Sequence, residues 1–418
     1  MLLVNKVRYI VVGAGQRGRG YAQFILNNPD KAELVGVAEP RDFYRRKLGD
    51  EHNIARDNLC TDWQHLAQRE KFADAVIIAT QDQMHRAPAE AFTSKGYHIL
   101  LEKPMAVNEQ DCRAIIHAIK KNKVIFAVGH VLRYTPYTIK FKQILDSGRI
   151  GEIVSIQHLE PVGYWHQAHS YVRGNWCKET DSTFMLMSKS CHDIDWIRYI
   201  AGSKCRKVSS FGNLKHFRKE NKPAKAAGRC LDCEIEKQCP YSAVKNYIGM
   251  FKAGHTIWPV SYITSDVTLD GLKKALREGP YGVCVYDCNN DVVDHQVVNL
   301  LFENGVTASF TMTAFTKFDH RKTRIFGTKG QIEGNGSKIE VYDFVTDQTE
   351  VINTDASSNG IVGGHGGGDQ GLMERFTAAV QKNDRTLVLS GPDETLESHR
   401  IVFAAEMSRI EDKVIIFE

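Results

Sequence analysis

Short apolar runs alternate with longer amphipathic segments through the first third of the chain. Val7–Val12 is mostly β-branched or aromatic, and Arg19–Asn27 after it has apolar residues at helical spacing. A second apolar run, Glu33–Ala38, follows directly. Apolar runs of this length are typical of strands that are buried on both faces of a parallel sheet. Strands alternating with helices predict a doubly wound α/β fold.

The same alternation continues to about residue 130. The further predicted elements are three strands and two helices: Asp74–Thr80, Ala87–Lys95, Tyr97–Leu101, Glu109–Lys121 and Val124–Val128. The pattern therefore predicts a Rossmann domain over residues 1–130 and a second domain over residues 131–418. Within the second domain, Asp294–Phe302 and Val306–Phe315 are β-rich and flank Glu303-Asn304-Gly305, which indicates a hairpin.

Composition narrows the classes of protein. A chain of 418 residues exceeds one ordinary core, and 42% hydrophobic with 25% charged residues is typical of a globular protein. The net charge of +4, from 54 basic and 50 acidic residues, is too small to indicate a nucleic-acid partner. No run approaches the roughly 18 apolar residues of a membrane span, and no signal peptide precedes the first strand. We therefore expect no membrane partner and a cytoplasmic location.

The first predicted strand leads into Gly13-Ala14-Gly15-Gln16-Arg17-Gly18, which has the spacing G-x-G-x-x-G. Gly13 permits a tight turn, Gly15 lets a pyrophosphate approach the backbone, and Gly18 lets the helix pack against the strand. Gln16 and Arg17 lie at the N-terminus of the helix, which attracts an anion. The loop therefore predicts a dinucleotide site.

Glu39 ends the second strand, at the distance from the glycine loop where an acid accepts hydrogen bonds from ribose hydroxyls. A carboxylate there repels a 2′-phosphate, so we expect NAD as the cofactor rather than NADP. NADP stays open because Arg41 could accept the phosphate. Thr80, Glu102 and Lys103 also fall at carboxyl ends of strands, where such sheets bind ligands.

These residues together resemble the Gfo/Idh/MocA family, the glucose–fructose oxidoreductase and inositol dehydrogenase group. The resemblance covers essentially the whole chain. It rests on the glycine loop, His85, Lys95-Gly96-Tyr97-His98, Glu102-Lys103-Pro104 and Arg133-Tyr134. It implies that His85 belongs to the cofactor site. It also implies an α+β second domain with a large, mostly antiparallel sheet, a carbohydrate substrate, and a homodimer or homotetramer.

Oxidation of a secondary alcohol needs a group that accepts the hydroxyl proton, and Lys103 fits by its position at a strand end. A lysine that only binds ribose or phosphate is the alternative. The resemblance implies a proton-relay role for His192, but the family commonly has an aspartate where this chain has Ser188. The missing acid puts a simple inositol-dehydrogenase mechanism in doubt, and Lys189 could instead contact the substrate. A helix-capping segment with a satisfied histidine is the structural alternative.

Polar and aromatic residues cluster between the two predicted domains. We expect the substrate to contact Tyr164, Tyr171, Arg173 and Arg133, although a tryptophan-rich core would give the same pattern. His365 lies in a glycine-rich segment, residues 363–369, that resembles one in the family's NAD-dependent glycosidases, so it could also reach the substrate. Asp369 is expected to be the N-cap of the following helix.

Cys230, Cys233 and Cys239 are spaced C-x2-C-x5-C within an apparent insert over about residues 213–255. Three such thiols could hold zinc or an iron–sulfur cluster if a fourth ligand came from elsewhere. Reduced, locally packed thiols are the alternative.

The leading interpretation is an NAD-dependent oxidoreductase acting on a secondary hydroxyl of a sugar, glycoside or polyol. The second is a redox-assisted glycosidase or lyase that oxidises C3, eliminates the substituent and reduces the product again. The third is a non-enzymatic NAD-sensing protein, which Lys103 and His192 argue against.

Overall fold

The computed structural model describes residues 6–354 and 365–417, and within them two sheets are surrounded by helices. The strands, β1 to β15, are Val7–Val12, Ala32–Ala38, Leu59–Cys60, Ala75–Ile78, His98–Leu101, Phe126–Val128, Ile153–Pro161, Cys205–Asn213, His295–Phe302, Thr307–Thr313, Lys322–Gly327, Gly330–Gly334, Lys338–Asp343, Gln348–Asn353 and Ile415–Ile416. The helices, α1 to α14, are Gln16–Asn27, Asp42–Glu51, Trp63–Gln68, Arg86–Ser94, Glu109–Asn122, Pro136–Asp146, Tyr164–Gln167, Met185–Ser188, Cys191–Ala201, Met250–Lys252, Val260–Ile263, Leu269–Glu278, Gly368–Lys382 and Pro392–Glu411.

The first six strands form a parallel sheet in the order β3-β2-β1-β4-β5-β6. The central strands are buried along almost their whole length because helices cover both faces of the sheet. The predicted Rossmann domain is confirmed. The carboxyl ends of β1, β2, β4 and β5 meet at one edge, and this brings the predicted cofactor residues together.

Helix α13 comes late in the sequence but packs against the first sheet. Leu372, Met373 and Phe376 share an apolar cluster with Tyr9 of β1, and the Tyr9 hydroxyl is 2.8 Å from Oγ1 of Thr377. The periodicity predicts the helix but gives no sign of this partner. The return of the chain sets the beginning of α13 beside the glycine loop.

The remaining nine strands form a second sheet in the order β14-β13-β12-β11-β7-β10-β9-β8-β15. All neighbouring strands run antiparallel except β7 and β10, so the predicted large, mostly antiparallel sheet is confirmed. The predicted hairpin joins β9 and β10, with Gly305 at φ +87° in its turn. Helices α6, α9 and α14 pack on one face of this sheet.

A long insert lies between β8 and β9, over residues 214–294. It is longer than the predicted range of about 213–255 because α11, α12 and the segment that follows pack with the cysteine-containing part. Arg173 fixes the insert to the second domain: its Nε donates to the Val283 carbonyl at 2.7 Å, and its Nη2 donates to the Tyr241 carbonyl at 3.0 Å.

Candidate active site

The glycine loop has the shape that a dinucleotide needs. Gly13 has φ +92°, and a Cβ there would lie 2.5 Å from the Ala79 carbonyl oxygen. A Cβ at Gly18 would lie 2.0 Å from the carbonyl oxygen of Gly13, so close helix–strand packing requires glycine. At Gly15, in contrast, a Cβ would meet only Nη2 of Arg41 at 3.8 Å. The backbone at Gly15 therefore faces the open space in which a pyrophosphate would lie at the start of α1.

Glu39 lies beside this loop and is only 2% exposed. Its carboxylate accepts hydrogen bonds from the Ala14 amide at 2.8 Å and from Nε and Nη2 of Arg41 at 2.7 and 3.0 Å. Burial raises the pKa of Glu39, but the bonds from Arg41 outweigh it and the net pKa is lowered. The two residues with opposite preferences for a 2′-phosphate therefore form one ion pair at the expected ribose position.

Thr80 and His85 lie at the end of β4. Oγ1 of Thr80 is buried and has no hydrogen-bond partner within the described residues, so it is available to a polar ligand. His85 is completely buried, with Nδ1 2.8 Å from the Pro104 carbonyl and Nε2 3.3 Å from the Thr80 carbonyl. His85 therefore braces the loops that follow β4 and β5.

Arg17 does not extend its guanidinium into the open space at the loop. Its Nε donates to Oε1 of Glu102 at 2.7 Å, and its Nη2 donates to the Tyr21 hydroxyl at 2.7 Å and to Oδ1 of Asp369 at 2.5 Å. The second carboxylate oxygen of Asp369 is 2.9 Å from Nδ1 of His365. We call these five residues, Arg17, Tyr21, Glu102, His365 and Asp369, the motif network.

The motif network bears on two expectations: the cofactor-binding role of Arg17 stays a prediction, and the N-cap role of Asp369 is wrong. The guanidinium of Arg17 is held by buried carboxylates, since pairing offsets the cost of burying the charges. Asp369 is not the N-cap of α13: Gly367 occupies that position, and Asp369 lies in the first turn of the helix. Burial raises the pKa of Asp369, but the charge of Arg17 outweighs it and the net pKa lies well below the ordinary value. Gly363 and Gly364 of the predicted glycine-rich segment lie outside the described residues.

Lys103 joins the motif network to the second domain. Its backbone amide donates to Oε2 of Glu102 at 3.1 Å, and its Nζ donates to the Ser188 carbonyl at 2.5 Å. Ser188 stands where the family commonly has an aspartate, and here it contacts the ammonium group through its backbone carbonyl.

His192 lies in the first turn of α9 and is 5% exposed. Its ring centroid is 5.9 Å from that of His365 and 6.0 Å from that of His130. Burial, followed by the charge of Lys103, lowers the pKa of His192 well below its ordinary value. The imidazole is therefore neutral at neutral pH and is able to accept a proton. Its Nδ1 has no partner within the described residues.

A second set of buried charges lies beside Lys189. Nζ of Lys189 is 3.1 Å from Oε1 of Glu160, and Nε of Arg321 is 3.1 Å from Oε2 of Glu160 and 2.6 Å from Oδ1 of Asp193. The imidazole of His158 lies 3.1 Å from Asp193. We call these residues, His158, Glu160, Lys189, Asp193 and Arg321, the ionic cluster. Apart from Lys189, the sequence motifs indicated none of them.

The predicted substrate residues separate into two groups. Arg133 is 1% exposed and donates to both oxygens of Asp195 at 2.7 Å, and Arg173 holds the insert. Both arginines therefore join parts of the fold, and their predicted contact with substrate stays a prediction. Tyr171 is buried beside His166, with ring centroids 6.0 Å apart, and Tyr164 is half-buried beside Tyr241.

The three cysteines of the insert do not form a metal site. Cys230 accepts a hydrogen bond from Nη2 of Arg173 at 3.4 Å, and all the cysteines are free thiols. Across residues 6–354 and 365–417, no group of three or more His, Cys, Asp or Glu side chains could hold a metal ion. The predicted zinc or iron–sulfur site is therefore not supported.

Comparison with known families decides the identity of both domains. Residues 7–130 match the family model described as an oxidoreductase family with an NAD-binding Rossmann fold, and residues 142–415 match its C-terminal alpha/beta domain. The chain belongs to the Gfo/Idh/MocA oxidoreductase family. It is thus an oxidoreductase with an NAD-binding domain, and the resemblance in the sequence motifs is confirmed.

Individual relatives are distant. The oxidoreductase YteT of Bacillus subtilis (strain 168) is 24% identical over 344 residues, which cover 77% of this chain and 76% of the relative. The 2,7-anhydro-N-acetylneuraminate hydratase of Escherichia coli (strain K12) is 28% identical over 50% of this chain, and the match spans only 54% of that enzyme.

The solved structure of levoglucosan dehydrogenase in complex with NADH and levoglucosan has the same fold. Its TM-score is 0.69 at 16% identity, and the match covers 99% of both chains. None of the helices that the structure describes is long and apolar enough to cross a membrane.

Proposed function

We propose that this protein uses NAD to oxidise a secondary hydroxyl of a sugar, glycoside or polyol. One observation carries the proposal: Nζ of Lys103 donates to the Ser188 carbonyl, close to His192 on α9 and next in sequence to Lys189, which Glu160 holds. The glycine loop opens at the same edge. Family relatives that act on an anhydro sugar acid and on levoglucosan are consistent with a carbohydrate substrate.

The two lysines and the histidine have separable tasks. Lys103 is held as a hydrogen-bond donor by the Ser188 carbonyl, so its ammonium group is suited to bind and polarise the substrate hydroxyl. His192 accepts the hydroxyl proton, because its ring is neutral and its Nδ1 has no partner within the described residues. Lys189 is held against Glu160 and binds a neighbouring hydroxyl. The glycine loop and Glu39 would hold NAD, which would supply the acceptor for the hydride of the carbinol carbon.

The direct test is a panel of sugars, methyl glycosides and inositols incubated with the purified protein and NAD. We expect NADH to form in proportion to product with at least one member, and His192→Ala to abolish that formation. His117→Ala, a substitution on the Rossmann domain helix α5, is the control. Failure of every carbohydrate in the panel to give either NADH or a changed product would contradict the proposal.

A second candidate is the oxidation–elimination reaction, and the pair formed by His192 and His365 favours it. Oxidation at C3 acidifies the proton at C2, so elimination needs a second base beside the one that takes the hydroxyl proton. His365 meets this need because Asp369 fixes its Nδ1, and its ring lies 5.9 Å from that of His192. The substituent at C1 leaves, water adds at C1 while a solvent proton returns to C2, and the hydride taken from C3 is then given back to C3, so no net NADH forms.

Substrate turnover in D₂O separates the two candidates. The dehydrogenase gives stoichiometric NADH and no deuterium at C2, and this is the outcome we expect. Deuterium at C2 of the product without net NADH would establish the oxidation–elimination reaction. In that case His365→Ala should remove the deuterium incorporation while single oxidation persists.

The expected homodimer or homotetramer also belongs to this proposal. The face of the second sheet opposite α9 carries a polar groove of about 680 Å³, lined in part by Lys322, Arg324, Glu333 and Lys338. Alternating charges of both signs are suited to pair with a second copy of the same face. Light scattering coupled to size-exclusion chromatography should give a dimer or tetramer mass, and a monomer at all concentrations would contradict this part.

A further inference from the structure

Aromatic side chains from three separate segments meet at one side of the ionic cluster. The ring centroid of Trp165 is 5.2 Å from that of Trp258 in the insert and 5.2 Å from that of Phe318. His166 is 5.2 Å from Trp258 and 5.5 Å from Phe318. We call Trp165, His166, Trp258 and Phe318 the aromatic wall.

The backbone connects the aromatic wall to the catalytic side of the site. Trp165 and His166 come shortly after Glu160, and Phe318 comes three residues before Arg321. Glu160 and Arg321 are in contact, and Glu160 also holds Lys189. Gly163 has φ +88°, and a Cβ there would lie 2.7 Å from Cα of Phe318, so the two segments pack directly together.

The wall has the features of a binding surface. Phe318 is 43% exposed, the neighbouring Ile257 is 59% exposed, and both tryptophans are only half-buried. Nδ1 of His166 is buried without a hydrogen-bond partner in the part of the chain that the structure describes. Burial and the charge of Lys189 lower the pKa of His166, so its ring is neutral. Exposed aromatic faces beside one unpartnered polar atom match a sugar ring, with its apolar C–H face and its hydroxyls.

We propose that the aromatic wall is a subsite for a second ring, a sugar unit or aglycone joined by a glycosidic bond to the sugar that is oxidised. The inference rests on the proposed function and narrows its substrate class to glycosides. Trp258 is the residue through which the insert selects such substrates over free monosaccharides. Its ring packs on Trp165 and His166, so the subsite is incomplete without the insert.

The test compares kcat/KM for glucose, galactose and N-acetylglucosamine with kcat/KM for their phenyl β-glycosides. The wild-type protein should prefer a phenyl glycoside to its free sugar by about tenfold, the size of one good aromatic contact. Trp258→Ala should remove most of this preference while kcat/KM for the free sugar is kept. Trp258→Phe should retain the preference, which separates ring stacking from mere folding of the insert. Phe211→Ala, an exposed aromatic substitution on β8, is the matched control and should change neither value.

Equal losses for the free sugar and the glycoside in Trp258→Ala, or an unchanged preference, would overturn the subsite. A second measurement tests the subsite without relying on the proposed reaction. Calorimetric titration of the NAD-loaded protein with the same phenyl glycosides should show binding that Trp258→Ala weakens by about tenfold. If no sugar is oxidised but this difference is found, the subsite stands and the proposed reaction falls. If binding is the same in both proteins, the subsite falls.

Discussion

The motif network and the ionic cluster border the same site, but they arise from different parts of the chain. Each joins buried carboxylates to one arginine: Arg17 to Glu102 and Asp369, and Arg321 to Glu160 and Asp193. Glu102 follows the end of β5 and Arg17 lies in the first turn of α1, two positions that the hydrophobic periodicity and the glycine spacing identify. The ionic cluster instead depends on the register of the second sheet. Strand β11 pairs with β7 so that Lys322 lies opposite Leu159, and this brings the adjacent Arg321 to Glu160.

The difference teaches that a motif predicts where a residue lies but not what it contacts. Arg17 has the position of a phosphate-binding residue in the glycine loop, yet its partners are carboxylates from residues 102 and 369. Lys103 lies between the motif network and the ionic cluster. Its backbone amide donates to Glu102, and its Nζ donates to the carbonyl of Ser188, the residue before Lys189. We expect the ionic cluster to contribute mainly to stability, and Lys103 to contribute mainly to turnover.

The largest expected effect is on the ionic cluster. Asp193→Ala removes the buried carboxylate that Arg321 and His158 share and leaves Glu160 as the remaining acid beside Arg321, so the free energy of unfolding should fall by about 3 kcal/mol or more. Urea denaturation measures this change. Asp319→Ala in the same region removes an exposed acid, with a 44% exposed side chain, and should change the value by less than about 0.5 kcal/mol. If the two substitutions lowered the free energy of unfolding by similar amounts, the ionic cluster would contribute no more to stability than a surface ion pair, and the prediction would be wrong.

The loss of unfolding free energy in Asp193→Ala should depend on pH. Burial raises the pKa of Asp193, but Arg321 and His158 outweigh it and hold the pKa well below its ordinary value. A carboxyl with a depressed folded pKa stabilises the fold fully above its unfolded pKa of about 4, and the contribution is lost as the pH falls below that value. The difference in unfolding free energy between wild type and Asp193→Ala should therefore narrow between about pH 5 and pH 3. A constant difference across this interval would contradict the assignment.

The next largest effect tests the residue that joins the two sets. Lys103→Ala should lower turnover by about 10²-fold or more, because it removes the donor that polarises the hydroxyl. NAD binding, measured by calorimetry, should largely survive. Lys95→Ala, which removes an exposed lysine from the same domain, is the control. Near-normal turnover of the Lys103 variant would remove Lys103 from the mechanism.

A smaller effect concerns the ion pair of Glu39 and Arg41 at the expected ribose position. NAD(H) should bind more tightly than NADP(H). Glu39→Ala should lower the ratio of these two affinities by about tenfold, because it removes a hydrogen-bonding carboxylate that repels phosphate. Arg41→Ala should raise this affinity ratio instead, since Arg41 neutralises Glu39. Fluorescence titrations with NADH and NADPH measure both ratios. A wild-type preference for NADP(H) would overturn the prediction.

The smallest expected effect lies inside the motif network. Tyr21→Phe removes a hydroxyl that bonds to Glu102 and Arg17, but the direct bond between those two residues remains. We expect unfolding free energy to fall by about 1 kcal/mol, as for one hydrogen bond, with little change in turnover. Thermal unfolding and steady-state rates measure both. A loss of activity comparable to that of Lys103→Ala would mean that the network acts directly in the reaction.

The sequence by itself determined the parallel sheet, the glycine loop, the position of Lys103 at a strand end and the β9–β10 hairpin. These features depend on neighbouring residues, because a period of two or 3.6 residues and a required glycine are local properties. The family motifs also indicate His192, because its position in the motif does not depend on its contacts.

Only the tertiary structure decided the partners of Arg17, Arg133 and Arg173, the composition of the ionic cluster and the place of Trp258. Each of these depends on contacts between residues far apart in the chain: Arg17 meets Asp369, and Trp165 meets Trp258. A charged side chain that is buried must find a partner, but nothing near it in the sequence names that partner. Strand register and the packing of α13 on the first sheet make the choice, since they set which distant side chains share one interior.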